Sequence, residues 1–249
     1  MTRLFAALTA TTLLAGPALA FDITAMSEAE KEAFRGEIRA YLLENPEVLM
    51  EAINVLETRD QQAAIEEDKR LLAEFNDAIF NHPADWVGGN PDGDITVVEF
   101  IDYRCGYCRK AWQEVDQLVE QDGNIRFVMK EYPILGEGSM LSSRFAIAVL
   151  QLHGADAYKA AHDALLSLRA DATPDTLRRL AEELGHDADA LLARMDTPEV
   201  TAVIEENHKL AATLQISGTP TFVIDQTFVR GYIPLEGMQQ IVAQQRADG

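Results

Sequence analysis

Apolar residues change their spacing along this chain, and each change predicts a different element. Ser27 followed by Glu30 forms a capping-box pattern that opens a helix running to Glu44. Asn45-Pro46 then resets the chain, with Asn45 as the expected N-cap and Pro46 in the first helical position of a second, long helix. Along that helix the apolar positions are Leu49, Ile53 and Leu56, then Leu72, Phe75 and Ile79, with the polar stretch "TRDQQAAIEEDKR" between the two groups. Spacings of three and four draw a narrow seam, which suits an oligomer stalk better than a broad core-facing stripe. A helix lying on the side of its own domain is the alternative.

"GGNPDGD", residues 88–94, is rich in turn formers and marks the expected domain boundary. After it "DITVVEFIDY" is a nearly continuous apolar run with β-branched residues, the pattern of a strand buried on both faces. "CRKAWQEVDQLVEQ" reads as a helix with Trp112, Val115, Leu118 and Val119 on one side, and "NIRFVMKEY" as the next strand. Strand, helix and strand in this order make a βαβ unit with parallel pairing. Residues 139–214 read as a run of short helices: Ser139 caps the first, which stops near Gly154. Thr173-Pro174 opens another, ended by Gly185, and Thr197-Pro198 opens the last. "TPTFVI" and "QTFVRG" are two strands joined by a tight turn at Asp225-Gln226, and a closing helix covers roughly Leu235 to Gln245.

Two features outside this pattern change the picture. The first twenty residues combine Arg3, the apolar stretch "LFAALTATTLLAG", Pro17 and a small-residue end at Ala18-Leu19-Ala20, the layout of an export signal too short to span a bilayer. An exported, periplasmic protein starting near Phe21 is therefore expected. Without Arg3 the formal charge goes from −20 to −21. So acidic a chain is repelled by phosphate backbones, which excludes nucleic acid as a partner class. The rest of the chain is long enough to bury a core without disulfide support.

That matters because the chain holds two cysteines, Cys105 and Cys108, two residues apart in "YRCGYCRKAW". Zinc would need two more ligands, and His82, His153, His162, His186 and His208 show no zinc-finger spacing. A bridge across two residues closes a tiny loop and constrains the unfolded chain little, so a structural staple has little to offer. A redox pair has a mechanism. Cys105 falls where a buried strand ends and a helix begins, so helix N-terminal N–H groups and the dipole favour its thiolate. Arg104, Arg109 and Lys110 add local positive charge. Cys105 is then the nucleophile that forms a mixed disulfide, and Cys108, one turn further and facing the protein body, resolves it. Glu99 lies six residues before Cys105 inside the buried run. A lone carboxylate there has a raised pKa and becomes a candidate proton acceptor for Cys108.

"VVEFIDYRCGYCRKAW", a helical insert and "SGTPTFVI" together resemble the DsbA-like branch of the thioredoxin-fold thiol–disulfide oxidoreductases, over nearly all of residues 90–246. The resemblance implies an α/β thioredoxin-like fold with an inserted helical subdomain at about 139–214, within a domain at 91–249. It implies that Pro220 is a cis-proline lying against the active-site pair, that the backbone of Thr219 pairs with a substrate strand, and that Glu99 matches the family's buried carboxylate. Gly106-Tyr107 stands between the cysteines, where the strongest oxidants of the family have Pro-His. Gly-Tyr there, and threonine before the cis-proline, are more similar to disulfide isomerases and reductases. The helical extension at 21–90 is similar to the N-terminal arms that oligomerise exported DsbA-like proteins, including those linked to copper tolerance. The reading implied is an exported thiol–disulfide oxidoreductase without a cofactor, leaning to isomerase or reductase, with a dithiol oxidase as the alternative. Expected partners are exported protein substrates, a membrane redox partner, and further copies of the chain through residues 21–80. A reading from another class is a protein that holds Cu(I) on the two thiolates; no methionine or histidine cluster supports it.

Overall fold

The computed structural model describes residues 23–248; the expected export signal at 1–20 lies outside the described residues. The chain divides into two compact units between Asp60 and Gln61. Among the described residues no helix is long and apolar enough to cross a membrane.

The first unit contains helix α1 (Glu28–Glu44) and the beginning of helix α2 (Glu47–Glu74). The Ser27–Glu30 capping box forms as the sequence predicts: the Glu30 amide donates to Ser27 Oγ, and the Ser27 amide donates to Glu30 Oε2 at 2.8 Å. Asn45 does not cap α2. It follows the last residue of α1, and its Nδ2 donates instead to the Tyr41 carbonyl at 2.9 Å, closing the preceding helix. Phe34, Ile38 and Tyr41 on α1, with Leu49, Ile53 and Leu56 on α2, repeat at helical spacing and are all exposed.

In the second unit, a five-stranded sheet runs in the order β1-β3-β2-β4-β5, formed by β1 (Trp86–Gly89), β2 (Ile95–Ile101), β3 (Ile125–Glu131), β4 (Thr221–Ile224) and β5 (Thr227–Arg230). β2 and β3 are parallel, in register Glu99 with Met129, and helix α4 (Gly106–Asp122) connects them, which completes the expected βαβ unit. The pairs β1–β3, β2–β4 and β4–β5 are antiparallel. Asp225, at φ 46, sits in the turn between β4 and β5.

The parallel pair is apolar on both faces because both are covered. Val97, Ile101, Phe127 and Met129 face a core shared with α4, with the helical insert and with the last helix, α10 (Leu235–Asp248). Val98, Phe100 and Val128 face a second core that contains Leu71, Leu72 and Ile79. The expected seam therefore splits. Leu49, Ile53 and Leu56 remain exposed, whereas Leu72 and Ile79 are buried under the sheet, with Phe75 packed against that cluster. Helix α3 (Asn76–Phe80) follows α2 directly and carries Ile79 into this core.

The boundary expected at 90/91 is corrected by the same observation. Residues 61–89 belong to the unit that holds the sheet. β1 was hidden in the sequence because "WVGG" reads as a turn. Both glycines are required for contact: a Cβ on Gly88 would lie 2.1 Å from the Trp86 ring, and one on Gly89 (φ +66) would lie 2.4 Å from the Ile125 carbonyl oxygen. Trp86 itself stacks on Tyr158 at 5.4 Å and donates from Nε1 to the Ala155 carbonyl, pinning the edge strand to the insert. Under the sheet, buried Lys130 pairs with Asp85 at 2.5 Å and donates to the Ala78 carbonyl at 2.6 Å.

The insert consists of α5 (Glu137–His153), α6 (Ala155–Ser167), α7 (Pro174–Glu183), α8 (Ala188–Met195) and α9 (Pro198–Thr213). Thr173 caps α7 and Asp187 caps α8 through their side-chain oxygens. Ser139 does not cap α5. Gly136, at φ 97, holds the cap position, while buried Ser139 donates from Oγ to Asp102 Oδ1 at 2.7 Å.

Asp102, fully buried just after β2, gathers four donors. Besides Ser139, its Oδ1 accepts from the Arg104 amide (2.8 Å), and its Oδ2 accepts from the amides of Ile134 (2.7 Å) and Leu135 (3.0 Å). Hydrogen bonds to a charged group contribute more than neutral ones, about 1.5–3 kcal/mol each. In Asp102→Asn the amide NH2 meets at least one of these donors head-on, whichever way it is turned. The variant should lose roughly 2–4 kcal/mol of stability, measured by urea unfolding; a loss within about 0.5 kcal/mol of zero would mean that this network does not hold the turn.

Candidate redox site

β2 delivers Cys105 to the start of α4. Its backbone is extended (φ −70, ψ 120) in the N-cap position, and its amide donates to the Asp102 carbonyl at 3.0 Å. A cysteine there replaces the usual Ser or Asp cap, so its sulfur stands beside helix N–H groups that have no partner within the helix. Both cysteines are free thiols. Cys105 is 9 % exposed and Cys108 is completely buried in the core that faces α4.

Their environments drive them apart. A hydrogen bond from the Cys108 side chain is the largest influence on Cys105, joined by the Thr219 contact and the amides of Cys108 and Tyr107. Against the cost of partial burial, these lower its pKa to about 5. Burial acts first on Cys108, followed by its contact with Cys105 and the negative charge of Glu99, and together they hold its thiol far above the ordinary range. Each cationic side chain near the pair makes a contact of its own. Arg104 reaches Asp171 at 2.8 Å, Arg109 donates from Nε to the Tyr103 carbonyl at 2.9 Å, and Lys110 lies 4.1 Å from the centre of the Tyr232 ring.

Across from the pair, the Thr219–Pro220 bond is cis. The Cys105 thiol donates to the Thr219 carbonyl oxygen at 3.1 Å, so the loop before β4 touches the reactive sulfur. Gly106 and Tyr107 are exposed, and Tyr107 stacks on Tyr232 at 6.1 Å. Glu99 is buried on the α4 side of β2, and its Oε1 has no hydrogen-bond partner among the described residues. Burial foremost, then the charges of Asp116, Cys105 and Glu131, push it up to about 8. The structure thus brings Cys105, Cys108, Glu99, Thr219 and Pro220 into one neighbourhood, with Tyr107 at its rim.

Sequence reading missed two residues of this neighbourhood. One is Asp102, which holds the turn before Cys105. The other is Glu131, buried at the end of β3, where the hydroxyls of Tyr158 (2.6 Å) and Tyr103 (2.7 Å) both donate to its Oε1. Burial raises Glu131 to about 7 against the opposing pull of those hydroxyls. Tyr103 also lies 3.1 Å from Nδ1 of His162, which burial lowers to about 3 and so keeps neutral. The available signal was the same as for Glu99: a lone carboxylate inside an apolar strand pattern, "IRFVMKEY". Among the described residues no group of three or more His, Cys, Asp or Glu side chains is arranged to hold a metal ion.

A mixed sheet centred on a parallel βαβ unit, a cysteine pair opening the connecting helix and a cis-proline loop against its first sulfur define a thioredoxin-fold dithiol protein. Comparison with known proteins narrows this class. Residues 96–243 match the DSBA-like thioredoxin domain, and residues 30–63 match the Copper resistance protein ScsC N-terminal domain. The chain belongs to the DsbA-like thioredoxin-domain family, as the sequence motifs implied.

Among solved structures it is similar to a thioredoxin-like oxidoreductase from Silicibacter pomeroyi DSS-3, with 43% identity and a TM-score of 0.65 over 69% of this chain and 97% of that one. Proteus mirabilis ScsC in a transitional conformation matches at 25% identity and TM-score 0.66, over 92% of this chain and 100% of that one. A periplasmic thioredoxin-like protein from Salmonella enterica serovar Typhimurium matches at 25% identity and TM-score 0.61, over 70% of this chain and 96% of that one. The Na(+)/H(+) antiporter NhaA 3 of Salinispora tropica is 27% identical over 160 residues, and the chain spans 24% of that relative's length.

Two measurements read the electrostatics directly. Alkylation of the reduced protein by iodoacetamide should titrate with a midpoint near 5 for Cys105. Replacing Cys108 by alanine removes the largest influence and should raise that midpoint by about one to two pH units; an unchanged midpoint would assign the stabilisation to the backbone alone. For Glu99, the folded pKa of about 8 lies above the ordinary 4.5. Its contribution to stability is therefore fully present below pH 4.5 and is lost as pH rises through about 8. Glu99→Gln should flatten the stability difference between these two pH values by a few kcal/mol, since each tenfold change in proton affinity is worth about 1.4 kcal/mol. Parallel pH profiles for the two proteins would show that Glu99 does not carry that proton.

Proposed function

We propose that the protein is a periplasmic thiol–disulfide oxidoreductase that exchanges disulfides with exported polypeptides through Cys105, with Cys108 as resolving residue. The observation that carries this reading is the arrangement of two free thiols at the start of α4: Cys105 in the N-cap position against the cis-proline loop at Thr219, and Cys108 one helical turn on and completely buried. The Cys105 thiolate attacks a substrate disulfide, forming a Cys105–substrate bond and releasing the other substrate sulfur as a thiolate. Cys108 then attacks Cys105 and frees the second substrate thiolate, leaving the pair oxidised and the substrate reduced by two electrons. Run backwards, the same steps oxidise a substrate dithiol.

Glu99 serves as the base for Cys108. Once Cys105 is tied up in the mixed disulfide its negative charge no longer raises Glu99, and the ionised carboxylate then takes the Cys108 proton and returns it when Cys108 becomes the leaving group. The Thr219 backbone, beside Cys105, aligns an extended substrate segment, and Gly106 and Tyr107 form the surface against which it lies. Location in the periplasm is supported by the sequence of residues 1–20 and by the periplasmic thioredoxin-like relative. In that compartment a membrane redox partner resets the pair.

Isomerase or reductase activity is the form favoured here, and the support for it lies in the first unit. Its apolar positions Phe34, Ile38, Tyr41, Leu49, Ile53 and Leu56 are exposed, and the stretch that carries all six matches the ScsC N-terminal domain. Association of copies through this arm would present several reactive cysteines to one substrate and leave mixed disulfides time to rearrange. Gly106-Tyr107 in place of Pro-His between the cysteines points the same way. The Cu(I) reading draws less support from the site, because two-thiolate binding must deprotonate Cys108 against its burial.

The deciding experiment is reactivation of a scrambled multi-disulfide enzyme by the chain with and without residues 21–60. That cut leaves Leu71, Leu72 and Ile79 in place, whereas removal to residue 80 would open the core under the sheet. Reactivation should depend on the arm, and loss of the arm should lower the mass in solution to that of one copy. Cys105→Ser should abolish exchange in both forms. If neither form reactivates the scrambled enzyme while both oxidise a reduced substrate, the protein is a DsbA-like dithiol oxidase.

A further inference from the structure

In a chain of net charge −20, the surface next to the cysteine pair carries the opposite sign. A cavity of about 270 Å³ opens there, walled by Gly106, the residue after Cys105, and by the side chains of Arg104, Arg109 and Arg169. Asp171 is the acidic residue in its lining, and its carboxylate is taken by Arg104 at 2.8 Å. Arg109 uses Nε to hold the Tyr103 carbonyl, which fixes the guanidinium while its other nitrogens make no ion pair among the described residues. Arg169, on the exposed segment after α6, makes none either. Ser142, at the back of the cavity, spends its hydroxyl proton on the Gly138 carbonyl and so offers an oxygen, not a donor.

Three guanidinium groups against one carboxylate leave this pocket with two uncompensated positive charges. Planar guanidinium groups recognise carboxylates through paired N–H donors. The cavity lies at the small end of ligand-pocket sizes and suits one side chain better than a whole small molecule. Acidic residues elsewhere on the chain repel an acidic polypeptide at long range. At physiological ionic strength that field is screened within about 8 Å, so contacts inside the pocket decide the outcome once a segment is docked.

We propose that the Arg104–Arg109–Arg169 pocket is a carboxylate-binding subsite that selects polypeptide disulfides with an aspartate or glutamate close in sequence to the attacked cysteine. This deepens the thiol–disulfide reading above and rests on it. The arginines do not take part in sulfur transfer; they position the segment whose sulfur Cys105 attacks. Preference for acidic neighbours is then set at a place distinct from Thr219, which contacts backbone, and from Tyr107, which stacks on Tyr232 and does not line this pocket.

The test uses the full chain, reduced, and two fluorescence-quenched disulfide peptides that differ in having Glu or Gln on both sides of the reactive cysteine. Exchange rates by stopped flow should favour the Glu peptide by roughly three- to tenfold at low salt, the scale of one or two partly exposed ion pairs. The ratio should approach one in about 1 M NaCl, where the screening length falls to about 3 Å. In Arg169→Gln the ratio should drop severalfold, and in Arg169→Lys it should be largely kept; because Arg169 is exposed, both variants fold. A ratio at or below one in the unsubstituted chain at low salt would overturn the subsite, as would an unchanged ratio in Arg169→Gln. Both results leave exchange itself intact, so they separate failure of the subsite from failure of the thiol–disulfide reading, which would show as no exchange with either peptide.

Discussion

The carboxylate of Asp102 is the constraint on which the reactive end of this protein depends. It sits at the point where the chain leaves β2, fully buried, and a buried charge is tolerated only when its lone pairs are met by donors. The four donors come from three places: the Arg104 amide in the turn itself, the Ile134 and Leu135 amides after β3, and the Ser139 hydroxyl in α5. Satisfying one side chain thus joins the cysteine turn to the neighbouring strand exit and to the helical insert. With the turn fixed, the Cys105 amide is committed to the Asp102 carbonyl and its sulfur must face the start of α4 and the Thr219 loop. The lowered proton affinity of the Cys105 sulfur follows from this position.

From there a gradient of burial does the rest. Cys105 at the rim keeps some exposure, whereas Cys108, one turn inside, and Glu99 in β2 are buried; the proton affinity of Cys105 is lowered and those of the two buried groups are raised. Donors at a helix N-terminus favour an anion at the rim. In the interior the absence of solvent favours neutral forms, so Cys108 holds its proton and Glu99, while Cys105 is an anion, is raised to about 8. Glu131, with its two tyrosine hydroxyls, adds a second buried carboxyl to the same face of the sheet, and the mutual repulsion of the two raises Glu99 further. A site of this kind holds one negative charge easily and a second only at a cost, which is what separates an attacking sulfur from a resolving one.

Charge and apolar surface outside the site divide labour between the two units. The sheet-bearing unit hides its large apolar side chains in two cores and presents a locally cationic pocket beside the cysteines. The helices of the first unit leave their apolar positions uncovered. Such an arm is a liability for an isolated chain and an asset for an assembly.

Much of this was legible in the sequence, because the signals were local. The apolar runs of β2 and β3, the Ser27–Glu30 and Thr173-Pro174 helix starts, the CGYC spacing and a lone glutamate in a buried strand each state their meaning within a few residues. Other features were decided by distant partners. "WVGG" becomes a strand since Trp86 packs on Tyr158 and its ring needs a glycine beneath it. Ser139 leaves its expected cap for a carboxylate 37 residues earlier. The one apolar seam of α2 is cut in two because its end is buried under the sheet, whereas Leu49, Ile53 and Leu56 at its start are exposed. Asp102 and Arg169 carried no motif of their own. Hydrophobic spacing and helix caps act through neighbours on the chain, so the sequence alone determined most of the elements and the reactive pair. Burial and charge compensation act through neighbours in space, so only the tertiary structure decided which carboxyls have raised proton affinity, which serine reaches Asp102, and that Arg169 joins Arg104 and Arg109 beside Cys105.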